Sequence, residues 1–159
     1  MRNPPSERIA TDAIAAWKTV ALLWMIVPLI LSIALFVLAY YFTFCYWFGG
    51  IVLIAGGIEL IITFFLIPKL RWKRWRYQVF DQEIYIQHGI LIVSRTLVPM
   101  IRVQHVDTKQ GPILKKYGLS SLTISTAATT HEIPALLEEE ASQLRDQISE
   151  LARVEQNDV

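Results

Sequence analysis

The stretch TVALLWMIVPLILSIALFVLAYYFTFCYWFGGIVLIAGGI, residues 19–58, contains no charged side chain, and KLRWKRWR, residues 69–76, follows it with five Lys or Arg in eight positions. A helix that crosses a bilayer needs about 20 apolar residues, so the uncharged run is long enough for two. The reading places one span at about 19–40 and a second at about 48–67, ending at Pro68. Between them the aromatic group from Tyr40 to Phe48 resembles an interfacial belt and is expected to hold a tight turn. Pro28 should kink the first span. The basic cluster directly after the second span places it, and both termini, on the cytoplasmic side by the positive-inside rule.

The whole composition agrees with a multi-pass membrane protein. Of 159 residues 53% are apolar, and the mean hydropathy is +0.39. The net charge of +1 conceals segregation: the first 68 residues carry only Arg2, Glu7, Arg8, Asp12, Lys18 and Glu59. Residues 1–18 read as a short lead-in, with Ile9, Ala13, Ala16 and Trp17 on one side of a partly amphipathic helix. The apolar run after Lys18 exceeds the 7–15-residue core of a signal peptide, so it should stay as an anchor. Cys45 is the single cysteine and allows no internal disulfide.

From Tyr77 onward the period changes. Residues 77–80, 84–88, 90–98, 101–107 and 122–126 alternate or run apolar in strand fashion, broken by Asp81-Gln82, Gly89, Pro99 and Gly111-Pro112. Residues 113–117 should make a helical turn closed by Gly118, and 131–133 a short last strand. Pro134 is expected to open a C-terminal helix, with Glu138, Glu139 and Glu140 at its positive end. Its seam of Leu137, Ala141, Leu144, Ile148 and Leu151 suits packing on one surface. The divisions expected are a lead-in (1–18), a transmembrane hairpin (19–68), a basic juxtamembrane linker (69–76), an α+β domain (77–154) and a tail (155–159).

The second half resembles the bacterial pleckstrin-homology-like domain of YdbS-like, membrane-flanked proteins. The matching features are Arg76-Tyr77 entering the first strand, the turn at Gly89, and Val98-Pro99 leading through Arg102, Gln104 and Asp107. Tyr117-Gly118-Leu119 followed by Leu122-Thr123-Ile124-Ser125-Thr126-Ala127 completes the pattern. The resemblance implies a small cytoplasmic antiparallel β-barrel or sheet closed by a C-terminal amphipathic helix. With the hairpin, that makes an α+β protein of the bacterial cell membrane. Members are commonly encoded beside a longer relative with several copies of the domain. The implied partners are therefore that longer protein or a second copy of this chain, besides the lipid bilayer. Some members occur with genes for antimicrobial-peptide resistance or export.

Glu59 stands about mid-span, where a carboxylate costs roughly 2.5–3.5 kcal/mol to insert. With Gly49, Gly56 and Thr63 it falls in one helical sector, read as a face for membrane assembly. The alternatives are a protonated Glu59 bonded to a backbone carbonyl or to Ser32 in the same hairpin, or a step in transport. Lys69, Arg71, Lys73, Arg74 and Arg76, with Trp72 and Trp75, suit the membrane surface. Arg95, Arg102, Lys109, Lys115 and Lys116 are candidates for a phosphate-binding rim, against which the acidic turn Asp81-Gln82-Glu83 speaks. Arg102, Gln104, Lys115 and Lys116 are candidates for domain interactions, with a structural salt bridge the expected role of Arg102.

His88, His105 and His131 are isolated, with no spacing for metal ligation, no nucleophile elbow and no phosphate-cradling loop. The expectation is a protein without cofactor, nucleic-acid partner or catalytic site. It is expected to be a membrane-anchored cytoplasmic binding or scaffold module of a membrane complex, and the resemblance implies resistance to membrane-active peptides as a setting. A transport or export subunit using Glu59, and an anionic-lipid sensor, are the alternatives.

Overall fold

The computed structural model describes residues 4–42 and 47–157, so residues 43–46 of the expected aromatic turn, including Cys45, lie outside the described residues. The chain forms two compact units that are not consecutive in sequence. One joins the residues up to 16 with those from 70 onward; the other is residues 17–69.

In the first unit the four-stranded antiparallel sheet has the order β1 (Glu7–Arg8), β2 (Arg76–Val79), β3 (Glu83–His88) and β4 (Ser94–Pro99). The lead-in was expected to be helical from about Ile9. It supplies instead an edge strand, with Glu7 opposite Tyr77 and Arg8 opposite Arg76, and only from Ala13 is the chain helical. Ile9 is buried, and the Ala10 amide donates to the Ala135 carbonyl at 3.1 Å. Burial of Ile9 and satisfaction of these backbone groups outweigh a marginal isolated helix.

The long apolar run 90–98 does not form one strand. Gly89 has φ +124, and a Cβ there would collide with the Ile92 carbonyl oxygen. The chain therefore turns through residues 89–93 before β4 begins at Ser94. A 3-10 turn, Met100–Arg102, leads into the second antiparallel sheet of β5 (Val103–Lys109), β6 (Leu119–Thr126) and β7 (Thr130–Leu137). Between β5 and β6 the helical turn α5, Pro112–Lys116, ends at Gly118 with φ +64.

Pro134 does not open the C-terminal helix; it lies inside β7. The register passes from Leu122–Ile133 to Ser120–Leu136, so Pro134 and Ala135 form a bulge opposite Ser121. A bulge tolerates the missing proline donor and accommodates Ala135 at φ 52. The helix α6 begins at Glu138 and runs to Asn157, its first turn carrying the three glutamates. Its Ala141, Ile148 and Ala152 are buried as it packs on β5, β6, β7 and the 3-10 turn. The core between the sheets and this helix is aliphatic: Ile84, Ile86, Leu122, Ile124 and Ile133 are 2% exposed or less. The expected antiparallel barrel or sheet with its C-terminal helix takes the form of two antiparallel sheets, one of them completed by residues that precede the apolar run.

The second unit, residues 17–69, takes in most of two helices that are long and apolar enough to cross a membrane, Ala13–Tyr41 and Trp47–Arg74. The first consists of α1, Ala13–Trp24, and α2, Ile26–Phe42, interrupted at Met25. Pro28 cannot donate to the Trp24 carbonyl and its ring crowds that oxygen, which explains the break where it falls. The second consists of α3, Trp47–Ile61, a π-helical turn, Ile62–Leu66, and α4, Ile67–Arg74. The segment expected as a basic linker is therefore helical through Arg74, with Arg76 already in β2.

Tyr77 is buried beneath α6, and its phenol is pushed up to about 12, first by desolvation and then by the carboxylates of Glu140 and Glu7. In the unfolded chain it ionises near its ordinary value of 10.0. Its contribution to stability is thus complete below pH 10 and lost as pH rises from 10 to about 12. The detergent-solubilised protein should lose thermal stability across that window more steeply than Tyr77→Phe; parallel curves would show that the phenol is not desolvated.

Candidate functional site

Within the hairpin the four residues expected on one face separate. Gly49 and Gly56 are buried between the helices, where their missing side chains admit the Phe36 ring and Pro28. A Cβ on Gly49 would stand 3.1 Å from the Phe36 ring, and one on Gly56 3.0 Å from Pro28 Cβ. Ser32, buried at the same seam, donates from Oγ to the Gly49 carbonyl at 3.2 Å. That hydroxyl is thereby engaged in closing the hairpin, and it has no bond to Glu59, the expected alternative.

Glu59 lies on the outer surface of the hairpin. Its carboxyl makes no hydrogen bond or ion pair with any described residue. It lines a shallow hollow of about 400 Å³ with Ala55, Ile58, Ile62 and Thr63. Thr63 donates from Oγ1 to the Glu59 carbonyl at 2.8 Å, at the point where the helix widens into the π-turn. A widened turn frees backbone polar groups, and such turns are frequent at functional positions. The arrangement offers a carboxyl on an otherwise apolar, outward-facing helix surface.

In the other unit the basic and aromatic residues have distinct surroundings. Trp72 donates from Nε1 to the Ile9 carbonyl at 3.1 Å, and Arg8 lies over its ring at 5.5 Å. Trp75 is buried and stacks on His88 with ring centres 5.5 Å apart. Lys73 is exposed, while Arg74 and Arg76 are half-buried. The Arg71 guanidinium is partly desolvated near Glu132.

Arg102 and Gln104 are both exposed and share a cleft of about 530 Å³. Its walls are Leu97 and Ile101 on one side and the β6–β7 turn, with Ala127 and His131, on the other. The salt bridge expected of Arg102 does not form with any described residue; within β5 His105 Nε2 lies 3.0 Å from Asp107 Oδ1, a contact that is an ion pair only with the histidine protonated. An exposed guanidinium gains little from a fixed partner in water, so its freedom costs nothing. Lys115 and Lys116 are not part of this cleft. They precede the start of β6 at Leu119, and the cleft lies at its other end, Thr126, about 23 Å away at strand rise. The five basic residues read as a phosphate rim therefore do not converge. Among the described residues no three His, Cys, Asp or Glu gather for a metal ion.

Sequence reasoning missed the cleft wall at residues 127–129, which depends on the two sheets meeting.

Comparison with known proteins gives the same architecture. Residues 10–152 match the family model described as Bacterial PH domain. The transmembrane protein YdbS of Bacillus subtilis (strain 168) is 51% identical over 159 residues, the full length of both chains. The transmembrane protein YdbT of the same strain is 26% identical over 100 residues, which cover 58% of this chain and 20% of that much longer one. No solved structure matches.

The two kinds of glycine in α3 give a direct test of the inner face. Gly56→Ala should cost about 1–3 kcal/mol by crowding Pro28. Gly57→Ala meets nothing within 4 Å and should be neutral or gain up to about 1 kcal/mol from helix propensity. Unfolding in mixed micelles measures both, and equal effects would refute the packing.

Proposed function

This chain belongs to the bacterial PH domain family, and from that premise we propose that it is a membrane-anchored scaffold subunit that assembles with another membrane protein through its hairpin. The observation that carries the reading is Glu59: a carboxyl on the outer apolar face, without a partner among the described residues, while the hairpin's own contacts use Gly49, Gly56 and Ser32. An acidic group at that depth is costly against lipid and is relieved by a polar group or backbone of a neighbouring helix. Thr63 beside it supplies a second polar atom. The Arg102–Gln104 cleft would receive a segment of the same partner on the aqueous side.

The partner we assign is a longer membrane protein carrying the same domain. Bacillus subtilis (strain 168) has both a relative of this chain's full length and a longer one that aligns with this chain over 100 residues at 26% identity, which supports a pairing of that kind. The sidedness we assign is cytoplasmic for both ends of the hairpin. The antiparallel pairing of β1 with β2 supports placing the segments before and after the hairpin on one side of a membrane, and the basic residues from Lys69 to Arg76 favour the cytoplasmic one.

Affinity purification of the full-length protein from its native membrane, read by native mass spectrometry, tests the assembly. Glu59→Leu should insert and fold but lose the second protein, with retention at least about tenfold lower, the equivalent of 1.4 kcal/mol. An unchanged complex mass would sink the proposal. Glu59→Gln, which keeps the hydrogen bonds and loses the charge, should retain most of the partner; a complex that assembles fully with Gln but is inactive would mark the carboxylate as part of a transport path.

A further inference from the structure

The register of the four-stranded sheet lines up Arg8, Arg76, Gln87 and Arg95, each opposite the next, across β1, β2, β3 and β4. Cross-strand partners share a face, and like charges directly opposite, as Arg8 and Arg76 are, oppose sheet formation. Gln87 fastens the row to the end of α4: Arg95 donates from Nε to its Oε1 at 3.0 Å, and its Nε2 donates to the Arg74 carbonyl at 3.3 Å. This row therefore crosses the end of the sheet that the chain enters from the basic helix.

The turn 89–93 extends from that same end. β2 leads away from Arg74, β3 returns, and beyond His88, stacked on Trp75, the chain continues into the turn. At its tip Leu91 is 88% and Ile92 84% exposed, more than any other large apolar side chain among the described residues. The other large apolar side chains exposed by 60% or more all belong to the hairpin helices. Gly89, whose conformation no other residue adopts cheaply, holds the two side chains out. An aliphatic tip above a row of arginines, at the end of a sheet continuous with a basic, apolar-anchored helix, has the composition of an interfacial membrane contact.

We propose that residues 89–93 form a membrane-dipping finger: Leu91 and Ile92 enter the headgroup–acyl boundary of the bilayer while Arg8, Arg76 and Arg95 engage lipid phosphates. The finger gives the domain a second hold on the membrane and relieves the repulsion within the arginine row. It rests on the reading that the hairpin lies in the same bilayer.

The test places single cysteines in the full-length protein on a Cys45→Ser background. Ile92→Cys, labelled with an environment-sensitive fluorophore, is reconstituted in vesicles of phosphatidylcholine with and without phosphatidylglycerol, together with Glu150→Cys on exposed α6 and Ile54→Cys on the hairpin. Lipids with a nitroxide high on the acyl chain report proximity to the bilayer. The expected result is blue-shifted emission at position 92 and quenching about twofold or more beyond that at position 150, as fits a depth of about 5–10 Å, stronger with phosphatidylglycerol. Water-like emission at 92 with quenching at 54 would overturn the finger and leave the hairpin reading intact. Loss of quenching at 54 would overturn both. A blue shift at 92 without lipid quenching would mean that protein covers the tip and would overturn the proposal equally. Quenching at 92 that ignores phosphatidylglycerol would overturn the role of the arginines.

Discussion

Two residue pairs, Glu7 with Tyr77 and Arg8 with Arg76, hold together segments separated by the whole apolar hairpin. The strand they make is short, yet it sets the organisation of the molecule. It completes the four-stranded sheet, brings Ile9 into the core and lets the Ala10 amide reach the bulge of β7. It also fixes both ends of the hairpin to one folded unit, so the helices are an insertion in a domain and not an appendage before it. Closing so long a loop costs chain entropy that grows only slowly with length. The hairpin, whose own helices pack through Gly49, Gly56 and Ser32, reduces that cost by bringing its ends back together.

Polar chemistry in the hairpin is distributed by the same economy of close contact. Small residues face inward because only they let the helix backbones approach, and the buried Ser32 hydroxyl finds a carbonyl there. At Gly49 and Gly56 even a single added carbon would press on Phe36 or Pro28. Glu59 is turned outward, onto an otherwise apolar helix surface. In the other unit the opposite holds: Arg102 and Gln104 are exposed to water in their cleft, where a guanidinium and an amide need no fixed protein partner.

Much of this was legible in the chain. The apolar run, the basic exit, the period-two segments and the amphipathic C-terminal stretch each report local physics: transfer into lipid, strand alternation and helical periodicity. Gly118 and the three glutamates at Glu138 were readable for the same reason, since a left-handed turn and a helix dipole act within a few residues. The misreadings at 90–98 and at Pro134 arose where local pattern competes with register. An apolar run reads as strand until one glycine at φ +124 folds it back, and a proline reads as a helix start until a bulge absorbs it.

By itself the sequence determined which segments seek lipid, which seek a sheet, and which end of the hairpin carries positive charge, because hydrophobic transfer and backbone propensity are properties of short segments. Only the tertiary structure decided that residues 7–8 join β2, that Glu59 parts from Gly56, and that Leu91 and Ile92 stand above a row of arginines. Glu59 lies about 60° around the helix from Gly56 by helical geometry. Whether that angle falls inside or outside a contact depends on where the neighbouring helix sits. Strand pairing across the hairpin depends likewise on distant groups meeting, and no local pattern encodes a meeting.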